Sequence, residues 1–185
     1  SVWGFYKMNA VFKKYLTVSI TLGLIAGCSA LAIGLTNMIT ADRIVENNAR
    51  KEQDGLKEVF QDDTLQVNED TSFDASVYQY VLKKWNVFDS SNEKFGTIYK
   101  TSGRNAYGSI TLLLGFDTGN TFTNMVVLEN TESYGSTLEE NYIDQVNGGN
   151  RDYLDVSCGA TYGARTIRDM IDEAKKDLLP NKEVK

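Results

Sequence analysis

Histidine is absent from the 185 residues. Every scheme that needs an imidazole base is therefore excluded, and so are metal centres built on His ligands; no metal site is expected. Cysteine is almost as scarce. Cys28 and Cys158 stand far apart, so there is no Cys-x-x-Cys pair, no iron–sulfur spacing and no disulfide framework. Redox chemistry in this chain would need an organic cofactor. Positive charge is also in deficit, with 19 Lys and Arg against 25 Asp and Glu and a net charge of −6, which excludes nucleic acid as a partner. What is present in quantity is apolar surface, 42% of residues with 11% aromatic, enough for a packed core.

A further absence is local. From Tyr15 through Ala41 no side chain carries a formal charge. Leu16, Val18, Ile20, Leu22, Leu24, Ile25, Leu31, Ile33, Leu35 and Ile39 make this stretch long enough to cross a hydrocarbon layer of roughly 30 Å as a helix. Lys7, Lys13 and Lys14 precede it without an acid, which predicts a cytoplasmic N-terminus and a single pass, with everything after the span extracytoplasmic. Trp3, Phe5 and Tyr6 suit an interfacial anchor. Leu24-Ile25-Ala26-Gly27-Cys28 also resembles a lipobox, in which Cys28 would carry lipid. The apolar run continues past it to Ile39, which favours an uncleaved span. Gly23-x-x-x-Gly27 fits close packing against a partner helix, although lone spans carry glycines too.

All the acids lie beyond the span. The expected organisation is a cytoplasmic N-terminus over 1–14, a transmembrane helix over 15–41, a helical stalk over 42–60 and one domain over 61–185. Residues 61–92 mix acids with Tyr, Val and Trp and indicate no chemistry. Phe95–Lys100 and Ser109–Phe116 are rich in β-branched and aromatic residues, and Asp117-Thr-Gly-Asn120 supplies a turn into Thr121–Leu128. Ala164, Ile167, Met170, Ile171, Ala174 and Leu178 recur at helical spacing and stop before Pro180. Strands followed by a terminal helix predict an α+β domain with an antiparallel sheet and flanking helices.

The chemistry-bearing stretch is Asp155-Val-Ser-Cys-Gly-Ala-Thr161. Gly159 and Ala160, almost without side chains, stand immediately before a threonine at the predicted helix start. An anion can approach the backbone there, stabilised by free amides and the positive end of the helix dipole, with Arg165 or Arg168 as counter-charges. On local physics alone Thr161 reads more simply as a helix cap and Gly159-Ala160 as a tight turn.

The same residues resemble the flavinylation motif Asp-x-x-Ser/Thr-Gly-Ala-Thr of the FMN-binding domain family, whose final threonine is joined to FMN by a phosphoester. Ala106-Tyr107-Gly108-Ser109, Leu113-Leu114-Gly115-Phe116-Asp117 and Val126 through Gly135 resemble further family segments in the same order. The segment Leu35-Thr36-Asn37-Met38-Ile39-Thr40-Ala41 resembles the membrane anchor of the G subunit of the Rnf electron-transport complex. That subunit is related to the C subunit of sodium-pumping NADH:quinone oxidoreductase, which generally has a longer soluble domain. The resemblance implies covalent FMN on Thr161, with Ser157, Cys158, Gly159 and Ala160 in the attachment motif and Thr131 and Glu132, with the Tyr134-Gly135 turn, beside the flavin; Tyr107 and Tyr162 pack either on the ring or on the core. There are departures. Cys158 stands for a usual Ser or Thr and reads either as an activated thiol or as a small, partly buried substitute. Gly163 stands for a frequent Ser or Thr, and Asn130 and Tyr134 alter the loop beyond β-type sequence.

The resemblance further implies a role as an electron-transfer subunit of a redox-driven ion-translocating complex at the cell membrane, without independent catalytic activity. Its implied partners are other membrane subunits of that complex, a flavin transferase for maturation, and the lipid bilayer. Two other readings remain open at this point: a free-standing tethered or lipidated flavoprotein of extracellular electron transfer, and a non-catalytic anchored binding domain. Ion transport itself is expected to belong to partners, because one apolar helix without intramembrane charge offers no ion path.

Overall fold

A computed structural model describes residues 2–179, with side chains from Phe12 onward except Asp42. The interfacial aromatics expected at Trp3, Phe5 and Tyr6, and the helix-ending Pro180, lie outside the described side chains. The chain divides after Ala49 into two compact units.

Helix α1 runs over Val2–Phe60. In the first unit its apolar side chains from Phe12 to Ile39 are exposed, and none of the described residues covers them. A helix of this length and composition needs lipid around it, and the chain is membrane-anchored through it. Thr17, Thr21, Thr36 and Thr40 donate their hydroxyls to carbonyls one turn back, so their polar atoms are satisfied within the helix.

The second unit is an antiparallel five-stranded meander in the order β1 (Gln66–Glu69), β2 (Val81–Phe88), β3 (Lys94–Asn105), β4 (Gly108–Asp117) and β5 (Phe122–Asn130). A helical segment follows, made of α2 (Gly135–Leu138), a π turn over Glu139–Ile143 and α3 (Asp144–Asn147). The chain ends on α4 (Thr161–Leu178). The domain is α+β, and its sheet is covered on both faces.

That double cover explains the sequence of β4, which is a continuous apolar run without polar alternation. Leu112, Leu114 and Phe116 belong to the core under α4, together with Ile167, Met170, Ile171 and Ala174. Leu113 points the other way, into a second core with Val59, Trp85, Val87, Ile98 and Val126. The last turns of α1 close this second face: Gly55 lies so close to the sheet that an added Cβ would stand 3.0 Å from Leu113 and Leu128. Register is pinned by the β4–β5 hairpin, where Asp117 Oδ1 accepts from the Thr121 amide at 2.8 Å and Asn120 takes φ 61°.

Two strands, β1 and β2, lie in the stretch that showed no pattern. In β2 the pair Lys83-Lys84 interrupts the apolar alternation, yet both ammoniums are engaged: Lys83 with Glu52 of α1 at 3.0 Å and Lys84 with Asp177 of α4 at 2.7 Å. Lys100 joins Glu52 as well. Burial alone would raise the Glu52 pKa, but hydrogen bonds and charge from Lys100 and Lys83 outweigh it and hold it below the ordinary value.

Candidate functional site: a tyrosine-rimmed cavity at the start of α4

The loop before α4 is built by its own polar side chains. Asp155 Oδ1 accepts from the Ser157 amide at 3.1 Å, an Asx turn that bends the chain toward the helix. One Arg151 nitrogen, Nη1, donates to Asp155 Oδ2 at 3.0 Å and to the Ser157 carbonyl at 3.1 Å, clipping the loop shut. From the other side, Tyr142 donates its hydroxyl to the Tyr153 carbonyl, and Asn141 donates to the Cys158 carbonyl at 3.4 Å. Cys158 is buried in the main core. Its side chain therefore packs as a small apolar group, which is the second of the two readings of that position.

Gly159 then takes φ 86°, a left-handed turn that only a residue without Cβ adopts at no cost. Ala160 is the N-cap of α4 and supplies no side-chain hydrogen bond. Thr161 is the first helical residue, one position past the cap, so its hydroxyl caps nothing; among the described residues no group hydrogen-bonds it. The amides of Thr161, Tyr162 and Gly163 have no intrahelical partners by position, the first return bond being Ala164 N to Ala160 O at 3.1 Å.

These groups open onto a cavity of about 260 Å³. Gly159 through Gly163 form one wall, and Tyr107, Glu132 and Tyr134 the other. The three tyrosines form a cluster: the Tyr107 ring lies 5.5 Å from Tyr134, edge to face, and 5.3 Å from Tyr162. All three are exposed, and none belongs to the core. Tyr107 and Tyr162 could by sequence have packed inside the domain; they rim the cavity instead.

Glu132 is the one acid on the wall and is only 9% exposed. Its Oε1 accepts from Asn105 Nδ2 at 2.6 Å. Its Oε2 occupies the space that a side chain at Gly163 would need, since a Cβ there would stand 2.6 Å away. No lysine or arginine lines the cavity. Arg168 is turned to its neighbour Asp169 at 3.0 Å, and Arg165 is exposed on α4, so neither stands as a counter-charge at the cavity.

Of the residues expected around a cofactor, Gly159, Ala160, Thr161, Tyr162, Glu132 and Tyr107 come together on this cavity. Ser157, Cys158 and Thr131 lie outside its wall. Thr131 instead locks the entry to β4, where its Oγ1 donates to the Ser109 carbonyl at 3.1 Å and accepts from the Ser109 amide at 3.0 Å. Tyr134, expected beside the flavin together with Gly135, and Gly163, a departure from the family pattern, are also wall residues. Asn105 and Arg151 gave no signal of their own; Asn105 shows only as a turn-former two positions before Tyr107.

The residues present fit a phosphate-bearing planar cofactor in three respects: uncapped helix amides, a free hydroxyl beside them, and aromatic faces within one small space. No curated protein matches the chain. Residues 8–59, ahead of the sheet, match the family described as the RnfG N-terminal region, and by that match the chain is close to the RnfG subunit.

Proposed function

We propose that this chain is the membrane-anchored electron-transfer subunit of an Rnf-type ion-translocating ferredoxin:NAD oxidoreductase complex, and that it holds FMN through a phosphoester to Thr161. The observation that carries this reading is the unengaged Thr161 hydroxyl, set on a cavity beside uncapped helix amides, in a chain whose anchor is RnfG-like. A phosphodiester retains a single negative charge, and the free amides and dipole of α4 would stabilise it where no cationic side chain reaches.

The cavity is at or below the small end of ligand sites, which run from roughly 300 to 1,000 Å³. It suits a phosphate with part of a flavin, leaving a ring edge at the surface for electron exchange. FMN would supply transfer of single electrons or pairs; the protein supplies attachment, a tyrosine rim and the Glu132 carboxylate. Covalent attachment also makes sense outside the cell, where a dissociated flavin would be lost. In this reading the domain lies on the extracytoplasmic side, a flavin transferase loads it, and other membrane subunits carry the ion.

The test is Thr161→Val in the full chain, produced in cells that contain the transferase. The native protein should show flavin fluorescence that survives denaturation and a mass higher by one FMN residue. The variant should lose both while its unfolding free energy, compared between chains made without the transferase, stays within about 1 kcal/mol of native, because among the described residues the hydroxyl has no protein partner to lose. A native chain without flavin, or a variant that keeps it, would overturn the assignment. Co-purification with several multi-span subunits would separate the complex from a free-standing carrier.

A further inference from the structure

Each of the three tyrosines on the cavity comes from a different segment: Tyr107 from the β3–β4 turn, Tyr134 from the loop after β5, and Tyr162 from the first turn of α4. Aromatic rings on separate loops do not hold a common geometry unless something ties their backbones together. One side chain does so here.

Asn105, the last residue of β3, accepts from the Tyr107 amide through Oδ1 at 2.8 Å. Through Nδ2 it donates to Glu132 Oε1 at 2.6 Å and to Thr166 Oγ1 at 3.2 Å. Thr166 in turn donates to the carbonyl of Tyr162 at 3.0 Å. Glu132 heads the turn that carries Tyr134, its carbonyl accepting from the Gly135 amide at 3.0 Å. The orientation of the amide is dictated by its partners, since a backbone N–H can only donate and a carboxylate can only accept. Glu132 and Thr166 are both buried, so the bonds they form with Asn105 are shielded from competing water.

We infer that Asn105 is a positioning residue that holds Tyr107, Tyr134 and Tyr162 and the Glu132 carboxylate in one arrangement for the flavin ring. The inference rests on the flavin reading for its purpose, but the arrangement itself is a property of the polypeptide. Asn105 is not itself a wall residue; it acts through the Tyr107 amide, the Glu132 carboxylate and the Thr166 hydroxyl.

The side-chain amide makes a balanced exchange available. Asn105→Asp keeps an acceptor for the Tyr107 amide but sets a second carboxylate against Glu132, removing the donor to both Glu132 and Thr166. Asn105→Asp combined with Glu132→Gln restores one donor and one acceptor with the roles reversed. The two single variants, the double variant and the native full chain form a cycle in which non-additivity reports the bond itself. Two readouts are taken in detergent: ring-to-ring nuclear Overhauser contacts of Tyr107 with Tyr134 and Tyr162 in chain made without the transferase, and the visible flavin spectrum of loaded chain.

Asn105→Asp should lose the Tyr107 ring contacts and shift the flavin band while flavin stays attached. The double variant should regain the Tyr107–Tyr134 contact, whose tie runs through residue 132, but not the Tyr107–Tyr162 contact, whose tie runs through Thr166, and should move the band back toward the Glu132→Gln value. Unchanged ring contacts in Asn105→Asp would overturn the inference, and so would strictly additive effects around the cycle. If Asn105→Asp does not fold, the decision passes to the double variant against Glu132→Gln: a matching Tyr107–Tyr134 contact in these two supports the bond, and its absence in a folded double variant overturns it. Failure of the flavin reading shows separately, as native chain that never becomes coloured while the ring contacts behave as stated.

Discussion

A single carbon added at Gly163 would stand 2.6 Å from both Glu132 Oε2 and Leu138 Cδ2. The first can retreat, at the cost of its bond to Asn105; the second is a core side chain with 0% exposure and has nowhere to go. Gly163→Ser is expected to destabilise the domain by about 1–3 kcal/mol through overpacking. The check is thermal unfolding of native and variant chain. Equal midpoints would mean that Glu132 is not seated against α4. The consequence for the site is that the space in front of Gly163 is already taken by a carboxylate.

At the scale of elements, α4 is fastened at both ends by different chemistry. Its start is held by the Asn105–Thr166 bond and its end by two acids one turn apart. Glu173 accepts the amides of Gln79 and Tyr80 at 2.8 and 2.6 Å, and Asp177 accepts from Tyr78, Lys84 and Tyr99. Burial on its own would raise the Asp177 pKa, but hydrogen bonds from Lys84, Tyr99 and Tyr78 outweigh it and hold it below the ordinary 3.8. The same contact works in reverse on the phenols: burial and Asp177 push Tyr78 up to about 12, and Tyr99 higher still.

A depressed carboxylate contributes stability that is complete above its unfolded pKa and is lost as pH falls through the lower folded value. Asp177→Asn is therefore expected to lower stability by about 1–2 kcal/mol at neutral pH. The gap should close progressively below about pH 4. Thermal midpoints of both proteins from pH 2 to 8 test this, and a gap independent of pH would assign the loss to packing instead of charge.

At the scale of the whole chain, the compact unit starts at Arg50, and the last turns of α1 belong to it. Leu56, Val59 and Phe60 cover the sheet face opposite α4, with Val59 only 2% exposed. A chain of residues 50–185 is expected to be soluble, with one cooperative thermal transition. A chain of residues 61–185 leaves that face bare and should aggregate or melt without a sharp transition. Size-exclusion chromatography and circular dichroism on the two decide it, and equal behaviour would show that the helix end is dispensable to the core.

The sequence by itself determined the features that depend on near neighbours. The uncharged run set the membrane helix, the β-branched and aromatic content and the turn residues set the β4–β5 hairpin, and the 3.6-residue period set α4 almost to its ends. It also placed Gly159, Ala160 and Thr161 at the helix start, since the lack of side chains there is a local fact. Tertiary structure alone decided the rest. Strand β2 was hidden because Lys83 and Lys84 look like solvated charge until Glu52 and Asp177 arrive from distant helices. Tyr107, Tyr134 and Tyr162 became one cluster only when three loops met, and Thr131 left the site because its hydroxyl bonds to Ser109 across the sheet. Partners far apart along the chain leave no period to read, and it is those partners that turn a free threonine into a candidate attachment point.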